Sequence, residues 1–327
     1  MEKTVSIIIP TYNRRHLIGT TIDNILRQTL PVHEIIVVDD HSTDETLEWL
    51  KETYGDKLIL LTNDGKGPGA ARNTGLKIAT GSYIKFFDSD DLMTSNTLEV
   101  QVETLEKSDK GYITGPYFYA SEENEQWIPK DNVILNYHNF PQNKPLWHWM
   151  IWGLFITIPG MLFRRDFLDS VGPWPEDIIT SEDWLYLWRI AQKEPYPAHD
   201  SRCAFIYRLH GEQSVGNNFD NLKRDKEKFK ILKNIFESDI KPSDKYTWWQ
   251  KQIFINKFYQ TARVCIDPCF KQELLSISGN FSKIIWQLYR LKMKWGRIKT
   301  KTDWQPFHGV NLDKVMVSNY TNFINCE

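Results

Sequence analysis

The chain has 327 residues, 41% of them hydrophobic and 25% charged, which excludes a disordered, collagen-like or disulfide-dense chain. Its 40 Lys and Arg nearly balance 42 Asp and Glu, so the basic footprint of a nucleic-acid-binding domain is missing and no nucleic-acid partner is expected. The length predicts one catalytic-size domain with a smaller extension.

In chain order, Val5–Ile9 is a continuous apolar run closed by Pro10, the pattern of a parallel strand buried on both faces. Leu17, Thr21, Ile25 and Leu26 then recur at helical spacing. Ile35–Val38 is a second strand, and Ser42-x-x-Glu45 is a capping box opening a helix that carries Leu47 and Leu50. Leu58–Leu61 is a third strand, Ala70–Ala79 a helix ended by Gly81, and Tyr83–Phe87 a fourth strand. This alternation predicts an α/β fold, a doubly wound and mostly parallel sheet. Beyond residue 110, Tyr112–Tyr119 and Pro159–Phe163 read as strands and Glu182–Ala191 as a helix. From about Asn217 the chain is helical and charge-rich, which sets a boundary near residue 216. The expected organisation is a catalytic domain over 1–216 and a helical C-terminal extension over 217–327.

Met1–Thr4 leads straight into a strand and not into a signal peptide, and no stretch is long and apolar enough to span a bilayer. A cytoplasmic protein is expected. Of the cysteines, Cys203, Cys265, Cys269 and Cys326, only Cys265-x-x-x-Cys269 is a close pair. It has no matching ligand pair, so buried free thiols are expected and not a zinc site.

Ligands of doubly wound sheets bind at the carboxyl ends of the strands. There the chain carries Pro10-Thr11-Tyr12-Asn13, Asp39-Asp40-His41-Ser42 and Asp88-Ser89-Asp90-Asp91. Carboxylates gathered at one sheet edge repel each other unless they bind a cation or accept hydrogen bonds. Asp-x-Asp at a strand end suits Mg2+ or Mn2+ with a diphosphate completing the shell.

Five segments, in order, resemble the family 2 inverting glycosyltransferases of GT-A (Rossmann-like) fold. They are Val5–Arg14, Val37–Ser42, Gly69–Gly75, Phe87–Asp91 and Ser181–Trp184, the last where that family carries its Glu-Asp base motif. The resemblance covers roughly residues 4–210 and implies a UDP-sugar donor, a saccharide or lipid-linked acceptor, and Mn2+ or Mg2+. It implies that Pro10, Thr11 and Tyr12 line the uracil pocket and that Asp40 accepts the uracil N3–H. Arg72 would help hold the nucleotide, Asp88 and Ser89 would meet the nucleotide-sugar, and Asp90 would contact donor and metal. Asp91 would share the metal role, since family members differ in which acid of the pair touches the cation. Asp183 would be the general base. Tyr207-Arg208-Leu209-His210 resembles a late Tyr-Arg-x-His element, which implies His210 near the metal or diphosphate. Bacterial surface polysaccharide or lipopolysaccharide synthesis is the setting expected by analogy.

Two rival readings differ in class. Gly65-x-Gly67-x-x-Ala70, followed by Asp88, matches the dinucleotide fingerprint of an NAD-dependent dehydrogenase. It follows the third strand instead of the first and leaves the other strand-end motifs unexplained. A non-catalytic glycan-binding relative would be expected to lack Asp90 or Asp183, and both are present. Trp147, Trp149, Trp152, Trp174, Trp184 and Trp188 are expected to divide between core and acceptor groove. Finally, Lys283–Lys301 places Ile284, Leu288, Leu291, Trp295 and Ile298 on one helical stripe flanked by basic residues. That pattern fits either a helix packed on the core or one lying on an anionic membrane surface.

Overall fold

The structure, a computed structural model, describes residues 3–123, 126–129, 133–134, 144–152, 156–210, 221–264, 267–278 and 310–311. The described residues form two compact units, one drawn from Met1–Leu146, Ile156–Gly211 and Phe307–Glu327, the other from Trp147–Phe155 and Glu212–Pro306.

The first unit opens with β1 (Val5–Thr11), α1 (Arg15–Leu26), β2 (Glu34–Asp39), α2 (Thr46–Tyr54), β3 (Ile59–Thr62), α3 (Gly67–Ile78) and β4 (Tyr83–Phe86). It continues through β5 (Leu92–Met93), α4 (Thr97–Glu106), β6 (Tyr112–Thr114), β7 (Tyr117–Glu123), β8 (Gln126–Pro129) and β9 (Val133–Ile134). After α5 (Leu146–Trp152) come β10 (Met161–Arg164), α6 (Arg165–Val171), α7 (Glu182–Lys193), β11 (Ala198–His199) and β12 (Phe205–Leu209). A seven-stranded sheet has the order β11-β6-β10-β4-β1-β2-β3. β1 runs parallel to both neighbours, with Ile8 opposite Ile36 and Phe86, and β10 is antiparallel to β4 and β6.

β1 is buried on both faces and apolar but for Ser6 and Thr11, so the apolar run is not continuous: Ser6 is fully buried and its hydroxyl donates to Glu34 Oε1 at 2.6 Å. Val5, Ile7 and Ile9 join Ile18, Ile22 and Ile25 of α1 in one core cluster. Ile8 points the other way, toward α3, where a Cβ on Gly75 would lie 2.5 Å from the Ile8 Cγ2. Each aliphatic side chain so buried contributes about 1.5–3 kcal/mol. Strand β3 is the sheet edge and is only partly buried.

Three local expectations change. The Tyr112–Tyr119 run is two strands in two sheets, because Gly115-Pro116 interrupts it and Pro116 has no N–H for a ladder. β7 joins a four-stranded sheet ordered β5-β12-β7-β8. Helix α3 starts at Gly67, with Pro in its first turn, earlier than the apolar pattern indicated. Ser42-x-x-Glu45 is not a capping box: the Ser42 hydroxyl donates to Asp39, and α2 opens after Glu45, which sits at φ 60 with no side-chain cap. Asp44 instead accepts the Thr46 N–H and the Arg15 N–H.

In the second unit α8 (Asn221–Ile235), α9 (Trp248–Val264) and α10 (Pro268–Ser278) pack around phenylalanines. The Phe229 ring lies 5.7 Å from that of Phe258 and 5.2 Å from that of Phe270. Trp147 meets Tyr246 edge-on at 4.9 Å. Back in the first unit, the short strand β13 (Val310–Asn311) pairs with β9. Among the described residues no helix is long and apolar enough to cross a membrane. Cys203 is buried and Cys269 exposed, both free, so burial does not extend to every thiol. Cys265, Cys326, the Lys283–Lys301 stretch and the side chains of Trp149 and Trp152 lie outside the described residues.

Candidate active site

The carboxyl edge of the sheet brings the loops after β1, β2 and β4 together, all within the first unit. Thr11 is buried and Tyr12 is 47% exposed at the rim. Asn13 takes φ 51, a conformation Asn tolerates better than most residues. It thereby stitches two loops: its N–H donates to Ser42 Oγ at 2.8 Å and its Oδ1 accepts the Thr43 N–H at 2.7 Å. The paired acids after β2 divide their work. Asp39 accepts from the Ser42 N–H and hydroxyl, and Asp40 accepts the Gly67 N–H at 2.9 Å and Asn63 Nδ2 at 2.6 Å. Asp40 thus ties the β2 loop to the start of α3.

The Asp88–Asp91 loop is held from behind by Arg208 on β12. The Arg208 guanidinium donates to the Asp90 carbonyl, to Leu17 O at 3.0 Å and to Thr21 Oγ1 at 2.8 Å. Its backbone N–H donates to Asp91 Oδ1 at 3.1 Å. Ser89 is buried, and its carbonyl accepts the Thr21 hydroxyl. Asp91 is 2% exposed, and burial together with Asp90 and Asp88 pushes its carboxyl well above the usual range.

Asp90 meets His210 Nε2 at 3.1 Å and Arg14 Nε at 3.5 Å. Burial raises its pKa, but the His210 hydrogen bond and the Arg14 charge outweigh that and hold it below the usual value. Asp88 accepts from Arg72 Nη2 at 3.0 Å. Here burial, with Asp90 and Asp183 nearby, wins over Arg72 and raises the pKa. Arg72 is itself buried, donates through Nη1 to Glu182 Oε1 at 2.9 Å, and lies 4.4 Å over the Trp174 ring. Asp183 stands in the first turn of α7 and is partly exposed; its Oδ1 accepts the Trp184 N–H.

The donor set suits a divalent cation. Asp90 and His210 are in contact, and the buried His210 Nδ1 has no hydrogen-bond partner, which leaves the imidazole unanchored on its far side. Among the described residues no three His, Cys, Asp or Glu converge on one point, so a cation bound here would need much of its shell from another source such as a diphosphate.

Arg14, Glu182 and Arg208 belong to this cluster although no role of their own was read for them from sequence, and Trp174, expected in the core or an acceptor groove, lies against Arg72. Arg208 carried the clearest signal, a charge inside the apolar strand pattern of Phe205–Leu209. Of the tryptophans, Trp174 and Trp188 are core, with Trp174 stacked on Tyr186 at 4.0 Å. Trp147 is core in the second unit, and Trp184 is partly exposed and stacked on Trp188.

Relatives in sequence include named glucosyltransferases. An Escherichia coli UDP-Glc:alpha-D-GlcNAc-diphosphoundecaprenol beta-1,3-glucosyltransferase, WfgD, is 34% identical over 67% of this chain and 83% of its own. A second E. coli enzyme with the same activity in its name, WfaP, is 30% identical over 71% of this chain and 86% of its own. Among solved structures, S. aureus TarS 1-349 in complex with UDP-GlcNAc superposes with a TM-score of 0.58 at 24% identity, over 79% of this chain and 73% of that one. The Pyrobaculum calidifontis mannosyltransferase PcManGT, in complex with GDP-Man and Mn2+, gives 0.53 at 20% identity, over 90% and 83%. These two likenesses bear out the GT-A fold. With residues 6–172 matching the family model described as "Glycosyl transferase family 2", the chain belongs to that family and is a glycosyltransferase.

Proposed function

We propose that the chain is a metal-dependent inverting transferase that moves glucose from UDP-glucose to a lipid-linked, GlcNAc-diphosphate-bearing acceptor in surface polysaccharide synthesis. The observation that carries the inverting reading is the charge arrangement. Asp88 and Asp90 follow β4, whereas Asp183 comes from the first turn of α7, and Arg72 spans the two elements by donating to Asp88 at 3.0 Å and to Glu182 at 2.9 Å. One carboxylate is thereby set apart from the donor pair, as a single in-line displacement requires. The donor and acceptor are carried over from the names of WfgD and WfaP.

In this reading Pro10, Thr11 and Tyr12 line the base, and Asp40 accepts the uracil N3–H with a lone pair left over from Gly67 and Asn63. Asp88, held by Arg72, and Ser89 meet the nucleotide-sugar. Asp90 and His210 would hold Mn2+ or Mg2+. Asp91 supports them from within, because its Oδ1 is engaged by Arg208. A bound divalent cation offsets charge on the departing diphosphate. Asp183 takes the proton from the acceptor hydroxyl as its oxygen attacks the anomeric carbon, and the bond to UDP breaks on the opposite face. Lys283–Lys301 supports peripheral contact with an anionic membrane, where a lipid-linked acceptor resides. The test is transfer from a panel of UDP-sugars to a GlcNAc-diphosphate-lipid analogue with Mn2+, with the anomeric configuration read by NMR. A retained configuration, or no transfer from any UDP-sugar, refutes the proposal.

A further inference from the structure

Glu182 has no part in the chemistry proposed above, yet it is only 7% exposed, one residue before the base. A carboxylate leaves water at a cost unless it is paired. Its partner is Arg72, and that guanidinium is shared: Nη1 donates to Glu182 at 2.9 Å and Nη2 donates to Asp88 at 3.0 Å. One buried cation therefore joins the helix that bears Asp183 to the loop that bears the donor-side acids. Trp174 supports the guanidinium with its ring face, 4.4 Å from Cζ to the centroid. Helix α3, which carries Arg72, is locked to the same segment. The Trp174 N–H donates to Asn73 Oδ1 at 2.9 Å, and Asn73 Nδ2 donates to Trp174 O at 3.0 Å and Glu176 Oε1 at 2.7 Å.

Helix α7, by contrast, starts without the usual fastening. Ser181 precedes it at φ 67 and makes no side-chain cap hydrogen bond. A non-glycine residue stays in that conformation only because its surroundings hold it. The Glu182–Arg72 pair lies at this point, in the first turn of α7 that also bears Asp183. Resting on the assignment of Asp183 as the base, we propose that Glu182 is a positioning residue. Through Arg72 it makes the orientation of Asp183 depend on Asp88, so that the base and the donor side of the site are aligned by one shared cation.

The full-length chain provides the test, as Glu182→Gln, Arg72→Lys, Asp88→Asn and Asp183→Asn variants. Turnover is measured with UDP-glucose, Mn2+ and the GlcNAc-diphosphate-lipid analogue, UDP binding by calorimetry, and backbone amide exchange over residues 182–186 by mass spectrometry. Displacing a reacting group by about 1 Å costs on the order of 10²-fold. Glu182→Gln is therefore expected to lower kcat by roughly that factor while the UDP Kd changes less than about twofold. Arg72→Lys should reproduce the kcat loss, since an ammonium cannot bridge two carboxylates with a planar fork. Asp88→Asn should speed amide exchange at the start of α7, although it lies on another element. Wild-type kcat in Glu182→Gln overturns the proposal. So does a parallel loss of kcat, UDP binding and melting temperature, which marks a merely structural residue. If Glu182→Gln does not fold, unchanged α7 exchange in Asp88→Asn overturns it instead. Full activity in Asp183→Asn refutes the base assignment, a separate failure from that of the coupling, which the exchange measurement still reads.

Discussion

Replacing Gly69 by Ala tests how closely α3 must approach the segment leading into α7. A Cβ there would lie 2.2 Å from the Pro175 carbonyl oxygen and 3.3 Å from its carbonyl carbon. Carbon and oxygen approach to about 3.3 Å at best, so the two backbones must separate by roughly 1 Å. The obstacle is backbone, so no rotamer change relieves it. Overpacking of this kind costs about 1–3 kcal/mol. The same shift stretches the pair of hydrogen bonds between the Asn73 side chain and the Trp174 backbone, at 2.9 and 3.0 Å. Each is worth about 0.5–1.5 kcal/mol. Ala returns at most about 1 kcal/mol of helix propensity. The net expectation is a loss of roughly 1–5 kcal/mol in urea unfolding followed by circular dichroism. Turnover should fall by about 10²-fold as well, because Arg72 rides on the same helix. Gly55→Ala is the control: its φ is +53 and nothing lies within 4 Å, so only backbone strain enters and turnover should hold. Gly69→Ala matching that control in stability and rate would refute the need for close approach.

Chelation of divalent cations should abolish transfer, and Asp90→Asn should weaken UDP binding far more with Mn2+ than without it; full activity in excess EDTA would contradict the metal reading. Asp183→Asn should cost at least about 10²-fold in turnover and leave UDP affinity nearly unchanged. Lys85 is buried, donating to Gln101 Oε1 at 3.2 Å and Met161 O at 3.1 Å, and burial pushes its pKa from 10.5 down to about 7. The unfolded chain keeps that proton where the native state has shed it, so stability gains with rising pH between about 7 and 10. Lys85→Met should flatten that slope in urea midpoints taken from pH 7 to 9, and equal slopes would show that the amine is not the cause. Changing Arg290, Lys294 and Arg297 to Glu should abolish co-sedimentation of the chain with anionic vesicles at low salt; equal pelleting would favour a helix packed on the core.

Much of the first unit was legible because its signals are local. Val5–Ile9 reads as a buried strand whatever its neighbours are, since a run that is apolar but for Ser6 puts aliphatic side chains on both faces and leaves neither wet. The acids after β2 and β4 stood out because a parallel sheet delivers whatever follows each strand to one rim. Local pattern misled where a distant group outbid it. Ser42 fits a capping motif, but its hydroxyl is claimed by Asp39 and by the N–H of Asn13 from the neighbouring loop. The Tyr112–Tyr119 run is rich in strand-forming residues at both ends, and only the packing of two sheets shows that Gly115-Pro116 divides it. The charge pairings were beyond any spacing rule. Arg72 reaches Asp88 and Glu182, and Arg208 reaches Asp91, across separations of 16, 110 and 117 residues. Sequence determines which side chains are acids, bases and apolar faces, and short-range geometry turns those into strands and helices. Which carboxylate receives a guanidinium and which is left facing the rim depends on how sheets and helices exclude water from that edge, and the tertiary structure alone decides it.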